Sequence, residues 1–251
     1  MCTHWERQMR NLNQEYQDTD GRKYAYDFDY IHREYIIRCL KPFFPGSSAL
    51  ELGCYHGEFS KQLLHEFTEL TIVEGASDLA AITTNNLKSH PNQNYTIHCD
   101  YFERVDLSEQ YDAIFLIHTL EHLDNPTEVL KRMKTWLKPT GKIFVVVPNA
   151  NAASRQIAVN MNLIDHNQAV TDGEFKHGHR KTYALDTLLQ EVKSAGLRPM
   201  QSGGILFKGL ANFQLDKALD AGIIDRAYLE GCYHLGLRYP DLCASVFVVC
   251  N

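Results

Sequence analysis

The stretch Ala49–Ser60, ALELGCYHGEFS, decides the fold. Ala49, Leu50 and Leu52 read as a buried strand, Gly53 and Gly57 bracket a turn, and a helix opens from Glu58. Glycines at the end of a strand let backbone N–H groups come close to a ligand, and the following helix directs its positive end there. The spacing is Glu-x-Gly-x-x-x-Gly, not the tighter fingerprint of a dinucleotide turn. Glu51 would repel a pyrophosphate but can accept hydrogen bonds from an ammonium group.

Outward from this turn the chain alternates. Upstream, Ile31, Tyr35, Ile36, Cys39 and Leu40 recur at a helical period over Asp29–Phe44, and Pro-Gly-Ser ends that helix. Downstream, LTIVEG, NYTIHCD, YDAIFLIH and GKIFVVVPN read as strands two to five, with helices over about 58–68, 78–89 and 126–137. Strands alternating with helices predict βαβ crossovers and a mostly parallel sheet covered on both faces, an α/β class. A helix over 182–196, strands in RPMQSGGILF and CASVFVVC, and a helical insertion over 212–239 complete the pattern. The stretch from Ala150 to His179 breaks the rhythm. It is polar, rich in Asn and His, and too long for an ordinary connection, so it reads as an inserted lid over an acceptor pocket. The organisation predicted is a single domain over 1–251: a helical cover to 45, a cofactor-binding core over 46–149, a lid over 150–183, and a C-terminal half over 184–251.

Composition narrows the partners. The 251 residues carry 25 Lys and Arg against 31 Asp and Glu, a net charge of −6, and the basic residues are scattered. That disfavours a nucleic-acid footprint and makes a small-molecule acceptor the default. Seven cysteines without a C-x-x-C pair read as reduced thiols. The polar N-terminus has no apolar signal core, and no run approaches a membrane span, so a cytoplasmic location with no membrane partner is expected. Oligomeric state has no signature.

Residues closing the strands should meet any ligand, because open α/β sheets bind at the carboxyl ends of their strands. Glu74, closing strand two, suits the paired hydroxyls of a ribose. Asp100, closing strand three, can accept from an exocyclic amine, beside a surface for a purine on Tyr101 and Phe102. Here the sequence resembles the class I S-adenosylmethionine-dependent methyltransferases, through LELGCYHG, VEG, HCDYF, YDAIFLIHTLEHLDNP and LKPTGKIFVVVPN in the family's order. The family usually has a third glycine where this chain has Tyr55. The resemblance implies a Rossmann-like seven-stranded sheet with its last strand antiparallel, with S-adenosylmethionine as cofactor and S-adenosylhomocysteine as product. It also implies a cofactor-binding set of Glu51, Gly53, Gly57, Glu74, Asp100, Tyr101 and His118. Beyond strand five the chain is similar to a bacterial group associated with cell-surface polysaccharide, which suggests a polar acceptor, sugar- or nucleotide-linked.

HTLEH, residues 118–122, is a second constellation. In a helix starting by Thr119, His118, Glu121 and His122 would share one face. KHGHRK adds His177 and His179 from the lid. Two chemistries are open: a histidine among His118, His122 and His179 as general base, or a divalent metal held by His118, Glu121, His122 and His179. Small-RNA 3′-end and ubiquinone O-methyltransferases carry a similar acidic-x-x-Glu-His segment associated with a metal. The plain alternative is that Glu-His caps and packs its helix. Tyr55 and His56 read as turn-packing residues, and His4, His65, His90, His166 and His234 as ordinary surface or core histidines.

Three rival classes remain open. An RNA methyltransferase would show tight, salt-sensitive RNA binding. An NAD-dependent oxidoreductase would need the missing glycine fingerprint. A non-catalytic S-adenosylmethionine-binding protein would bind the cofactor and turn over no acceptor.

Overall fold

The alternation of apolar runs folds as one sheet with helices on both faces. In the structure, a computed structural model that describes residues 10–18, 23–90 and 94–251, the helices before the first crossover are α1 (Leu12–Glu15) and α2 (Asp27–Leu40). The core follows as β1 (Ser48–Leu52), α3 (Glu58–Glu66), β2 (Glu69–Glu74), α4 (Ser77–Leu87), β3 (Asn94–Cys99), β4 (Tyr111–Ile117), α5 (Pro126–Thr135) and β5 (Leu137–Pro148). The rest is α6 (Ala153–Asn160), α7 (Asp172–Lys176), α8 (Leu185–Ser194), β6 (Pro199–Phe207), α9 (Asn212–Asp220), α10 (Arg226–Gly236) and β7 (Cys243–Cys250). Part of the N-terminal cover read from the sequence, residues 1–9 and 19–22, lies outside the described residues, as does Cys2.

Strand order is β3-β2-β1-β4-β5-β7-β6. Strands β1 to β5 pair in parallel, while β7 runs antiparallel to both neighbours. The order reverses between β1 and β4, which opens a crevice at their carboxyl ends. Every residue of β1 is buried, as expected of a strand covered on both faces. Leu50, Leu52, Ile114 and Val145 pack with Leu130 of α5 and Leu188 of α8 on one face. Ala49, Phe115 and Phe144 pack with Ile36 of α2 and Leu63 of α3 on the other. Each such side chain removed from water contributes roughly 1.5–3 kcal/mol before entropy is counted, so the central strands are a rigid platform for whatever projects from their ends.

At the opposite edge of the sheet Asp112 ties β1 to β4. Its Oδ2 accepts from the N–H groups of Ser47 (3.1 Å) and Ser48 (3.0 Å), from Ser48 Oγ (2.8 Å) and from Lys138 Nζ (3.0 Å). Cys39, Cys54, Cys99, Cys232, Cys243 and Cys250 are free thiols. Among the described residues no helix is long and apolar enough to cross a membrane.

Candidate active site

The turn after β1 is built from left-handed backbone. Gly53 (φ 81°), Tyr55 (φ 51°) and Gly57 (φ 82°) all adopt it. A Cβ on Gly53 would lie 2.6 Å from Thr119 Oγ1, so the chain approaches the end of β4 only as glycine. Tyr55 holds the family's third glycine position in the glycine-like conformation, at a cost of about 1–2 kcal/mol. Its ring stacks on His56 (centroids 3.8 Å apart) and on Tyr24 (5.1 Å), contacts that offset part of that strain. Glu74 pins the turn from β2, accepting from the N–H groups of Cys54 (3.0 Å) and Ala76 (2.9 Å). Glu51 is buried and accepts from Ser60 Oγ at 2.5 Å. Burial pushes its carboxyl up to about 8, against the opposing pull of Ser60 and Arg33.

A cavity of about 1980 Å³ opens over these strand ends. Single ligand pockets usually span about 300–1,000 Å³, so this one has room for two molecules together. Glu51, Gly53, Glu74, Tyr101 and His118 line it; Gly57 and Asp100 are not among its lining residues. Gly57 starts α3, with Thr83 Cγ2 2.9 Å from where its Cβ would be. Asp100 is already engaged: Arg104 Nε donates to it at 2.6 Å and Tyr101 N–H at 2.8 Å. The Arg104 hydrogen bond is the main cause holding its carboxyl below the usual range.

Several lining residues escaped the sequence reading, Arg33 foremost. Arg33 of α2 projects into the cavity with Nη1 buried and unpartnered, near the rings of Tyr30 (5.5 Å) and Tyr55 (5.9 Å). Its readable signal is position: it precedes Ile36 and Ile37 by three and four residues, so it lies within the buried stripe of α2.

The second constellation is rearranged. The shared helical face expected for His118, Glu121 and His122 does not form, because residues Leu120–His122 make a tighter 3₁₀ turn and His118 itself is left-handed (φ 50°). His118 is turned toward β7 instead, with Nε2 2.8 Å from Ser245 Oγ and its ring 5.7 Å from that of His32. His118 is therefore outside the group that converges, which corrects its place in the predicted metal set. That group is Glu121, His122 and His179, whose ligand atoms all lie within 4.8 Å of one another.

Backbone contacts assemble it. The Glu121 carbonyl accepts from Arg180 N–H (2.8 Å) and Lys181 N–H (3.3 Å), and Arg10 Nη1 and Nη2 donate to the carbonyls of His122 (2.5 Å) and Gly178 (3.1 Å). The His122 and His179 rings consequently meet edge to face at 4.5 Å. His177 lies edge-on to Tyr24 at 5.3 Å, outside the group. Burial pushes the Glu121 carboxyl up to about 8, and its Oε2 has no hydrogen-bond partner among the described residues. Burial, followed by the neighbouring His179 and Arg10, holds His122 well below its ordinary range, so its imidazole is neutral. A neutral imidazole beside an orphaned carboxyl oxygen can take up a proton or ligate a cation.

The chain is similar to known proteins along most of its length. A family model described as a methyltransferase domain matches residues 22–202. A ubiquinone biosynthesis O-methyltransferase of Xanthomonas axonopodis pv. citri is 26% identical over 144 residues, 57% of this chain and 59% of the relative. The chain thus spans about three fifths of the length of the first curated relatives it matches. An S-adenosylmethionine-dependent methyltransferase structure from Mesorhizobium loti superposes with a TM-score of 0.60 at 14% identity, covering 87% of this chain and 97% of that one. The N-methyltransferase NodS of Bradyrhizobium japonicum WM9, in complex with S-adenosyl-L-homocysteine, superposes at 0.57 with 13% identity, covering 96% and 98%. The two structural likenesses speak for the fold, and the family match for membership: this chain belongs to the S-adenosylmethionine-dependent methyltransferase family.

Proposed function

We propose that the enzyme methylates an O, N or C nucleophile of a polar small molecule, with the cofactor at the β1–β2 end of the cavity and the acceptor between the Glu121–His122–His179 group and the lid over 150–183. The observation that carries this reading is one continuous cavity lined both by Glu51, Gly53 and Glu74, from the ends of β1 and β2, and by Glu121, His122 and His179. The cofactor, when bound, supplies an already activated sulfonium methyl group. Glu51 accepts from the methionine ammonium, and Arg33 beside the turn, whose Nη1 has no hydrogen-bond partner among the described residues, binds the methionine carboxylate. Glu74 retains lone pairs for the ribose hydroxyls, and Tyr101 supports the base. Asp100 reaches the adenine amine only by giving up Arg104. His118 closes the cofactor end at β4.

The chain's own contribution is orientation, together with removal of a proton from the nucleophile where it arrives protonated. His122 takes that proton on its imidazole, with His179 beside it. The convergence of three donors favours a second reading, in which Glu121, His122 and His179 hold a divalent ion that would lower the acceptor's pKa. Incubation with methyl-labelled cofactor and fractionated cell extracts tests the proposal: label should appear in a small-molecule fraction. Label in RNA, or in no acceptor at all, would refute it. Loss of transfer on chelation, restored by a divalent ion, would select the metal reading over the base.

A further inference from the structure

The cavity wall just past β6 carries a cation that forms no ion pair among the described residues. Lys208, just past β6, lines the cavity half-buried, and among the described residues its ammonium has no carboxylate within ion-pair distance. Its one hydrogen-bond partner is the amide oxygen of Asn212, leaving donors to spare. The nearby carboxylate, Asp29, is already committed: it accepts from Asn212 Nδ2 and from Tyr26 N–H, each at 2.8 Å. Two other lining cations are paired, Arg155 with Glu174 at 2.7 Å and Arg180, beside the Glu121–His122–His179 group, with Glu15 and Asp124 at 3.1 and 3.2 Å.

Two helix N-termini converge on the same residue. The Lys208 carbonyl accepts the Ser154 N–H (2.9 Å) in the first turn of α6, and Lys208 Nζ meets Asn212, the first residue of α9. In α6 the Ser154 N–H is spent on Lys208 and the Arg155 and Gln156 N–H groups on the Ala152 carbonyl (2.9 and 3.0 Å), whereas the first two N–H groups of α9, on Asn212 and Phe213, have no intrahelical acceptor and carry part of about half a positive charge. Ser154, Asn212 and Phe213 all line the cavity beside the apolar Ala158, Leu163 and Ile164.

We propose that Lys208, with the first turn of α9, binds an anionic oxygen group of the methyl acceptor, a carboxylate or a phosphate, whose apolar body lies along Leu163, Ile164 and Phe213. This deepens the methyl-transfer reading and rests on it. The site calls for an acceptor with its nucleophile at the Glu121–His122–His179 end and its anion at the β6 end, and it disfavours neutral sugars and cationic amines.

The test uses the full chain loaded with S-adenosylhomocysteine, titrated at low salt with inorganic phosphate and, separately, with benzoate, while backbone amide resonances are followed. Saturable shifts should centre on Ser154, Lys208, Asn212 and Phe213, with dissociation constants of about 1–10 mM. Lys208→Met should weaken the tighter anion by about tenfold or more, and Lys208→Arg should keep it within about threefold. Tighter phosphate identifies a phosphorylated acceptor; tighter benzoate, an organic acid. Shifts located elsewhere, no saturable shifts, or equal anion binding by Lys208→Met would overturn the proposal. If the Met variant fails to fold, the wild-type shift map alone decides. Failure of S-adenosylhomocysteine to load would instead count against the cofactor end, a separate result.

Discussion

Strand β4 begins and ends beside a carboxylate, and the two are treated in opposite ways. Partial burial works against ionisation of Asp112 at the start, but the N–H of Ser48, the Lys138 ammonium and Ser47 outweigh it and hold the carboxyl well below its ordinary range. Glu121, four residues past the end, is buried with one oxygen unsatisfied among the described residues and is pushed up to about 8. The first arrangement stabilises the fold; the second costs stability and is kept where a ligand can complete it. The same contrast extends along the sheet, since Glu51, Arg33 and the left-handed Tyr55 and His118 all lie at the carboxyl edge.

The contrast breaks most visibly in turnover. Replacing His122 by Ala should lower the rate about 100-fold or more while leaving S-adenosylhomocysteine affinity within about twofold, since the lost contact is with the reacting acceptor. Wild-type turnover in that variant would make the Glu121–His122–His179 group structural. Asp112→Asn should do the reverse. Urea denaturation should show a loss of about 2 kcal/mol, the scale of a charge-assisted hydrogen-bond set at a largely buried site, with cofactor affinity unchanged. A parallel loss of cofactor binding would mean the two edges are coupled.

A smaller effect separates the edges by pH. The Glu51 carboxyl, ordinarily near 4.5, is raised to about 8 in the folded apoprotein. The folded state therefore holds a proton that the unfolded chain has released. This contribution is fully present below about 4.5 and is lost as pH rises through 8. Asp112 has the opposite sign, since its folded pKa is depressed: its contribution holds above the unfolded value and disappears as pH falls toward the folded one. Denaturation midpoints between pH 5 and about 8.5 should fall less steeply in Glu51→Gln, the remaining slope coming from Glu121, whose carboxyl is also raised to about 8, and should keep their full slope in Asp112→Asn. An unchanged slope in Glu51→Gln would place the titration elsewhere.

Much of the frame was legible because local and global signals agree. The strand-turn-helix around Gly53, the order of crossovers and the antiparallel last strand follow from periodicity and from the family resemblance. The site was legible where residues close strands, as with Glu51 and Glu74. It was less so where tertiary contacts decide. His118 donates its N–H to the Val146 carbonyl at 2.8 Å and takes a left-handed backbone, which no local rule foresees for a histidine. Asp100 is claimed by Arg104, four residues on, in a segment that forms no regular helix. Arg33 and Lys208 reach the cavity from elements distant in sequence, and neither belongs to a motif.

The central claim is that the carboxyl edge of the sheet holds the cofactor through Glu74. Calorimetric titration of S-adenosylhomocysteine into the wild-type chain and into Glu74→Ala tests it most directly. One-site binding that weakens about 10- to 100-fold in the variant, the worth of roughly 1.5–3 kcal/mol of charge-assisted hydrogen bonding, is the predicted result. No binding by the wild type, or equal binding by Glu74→Ala, would contradict it.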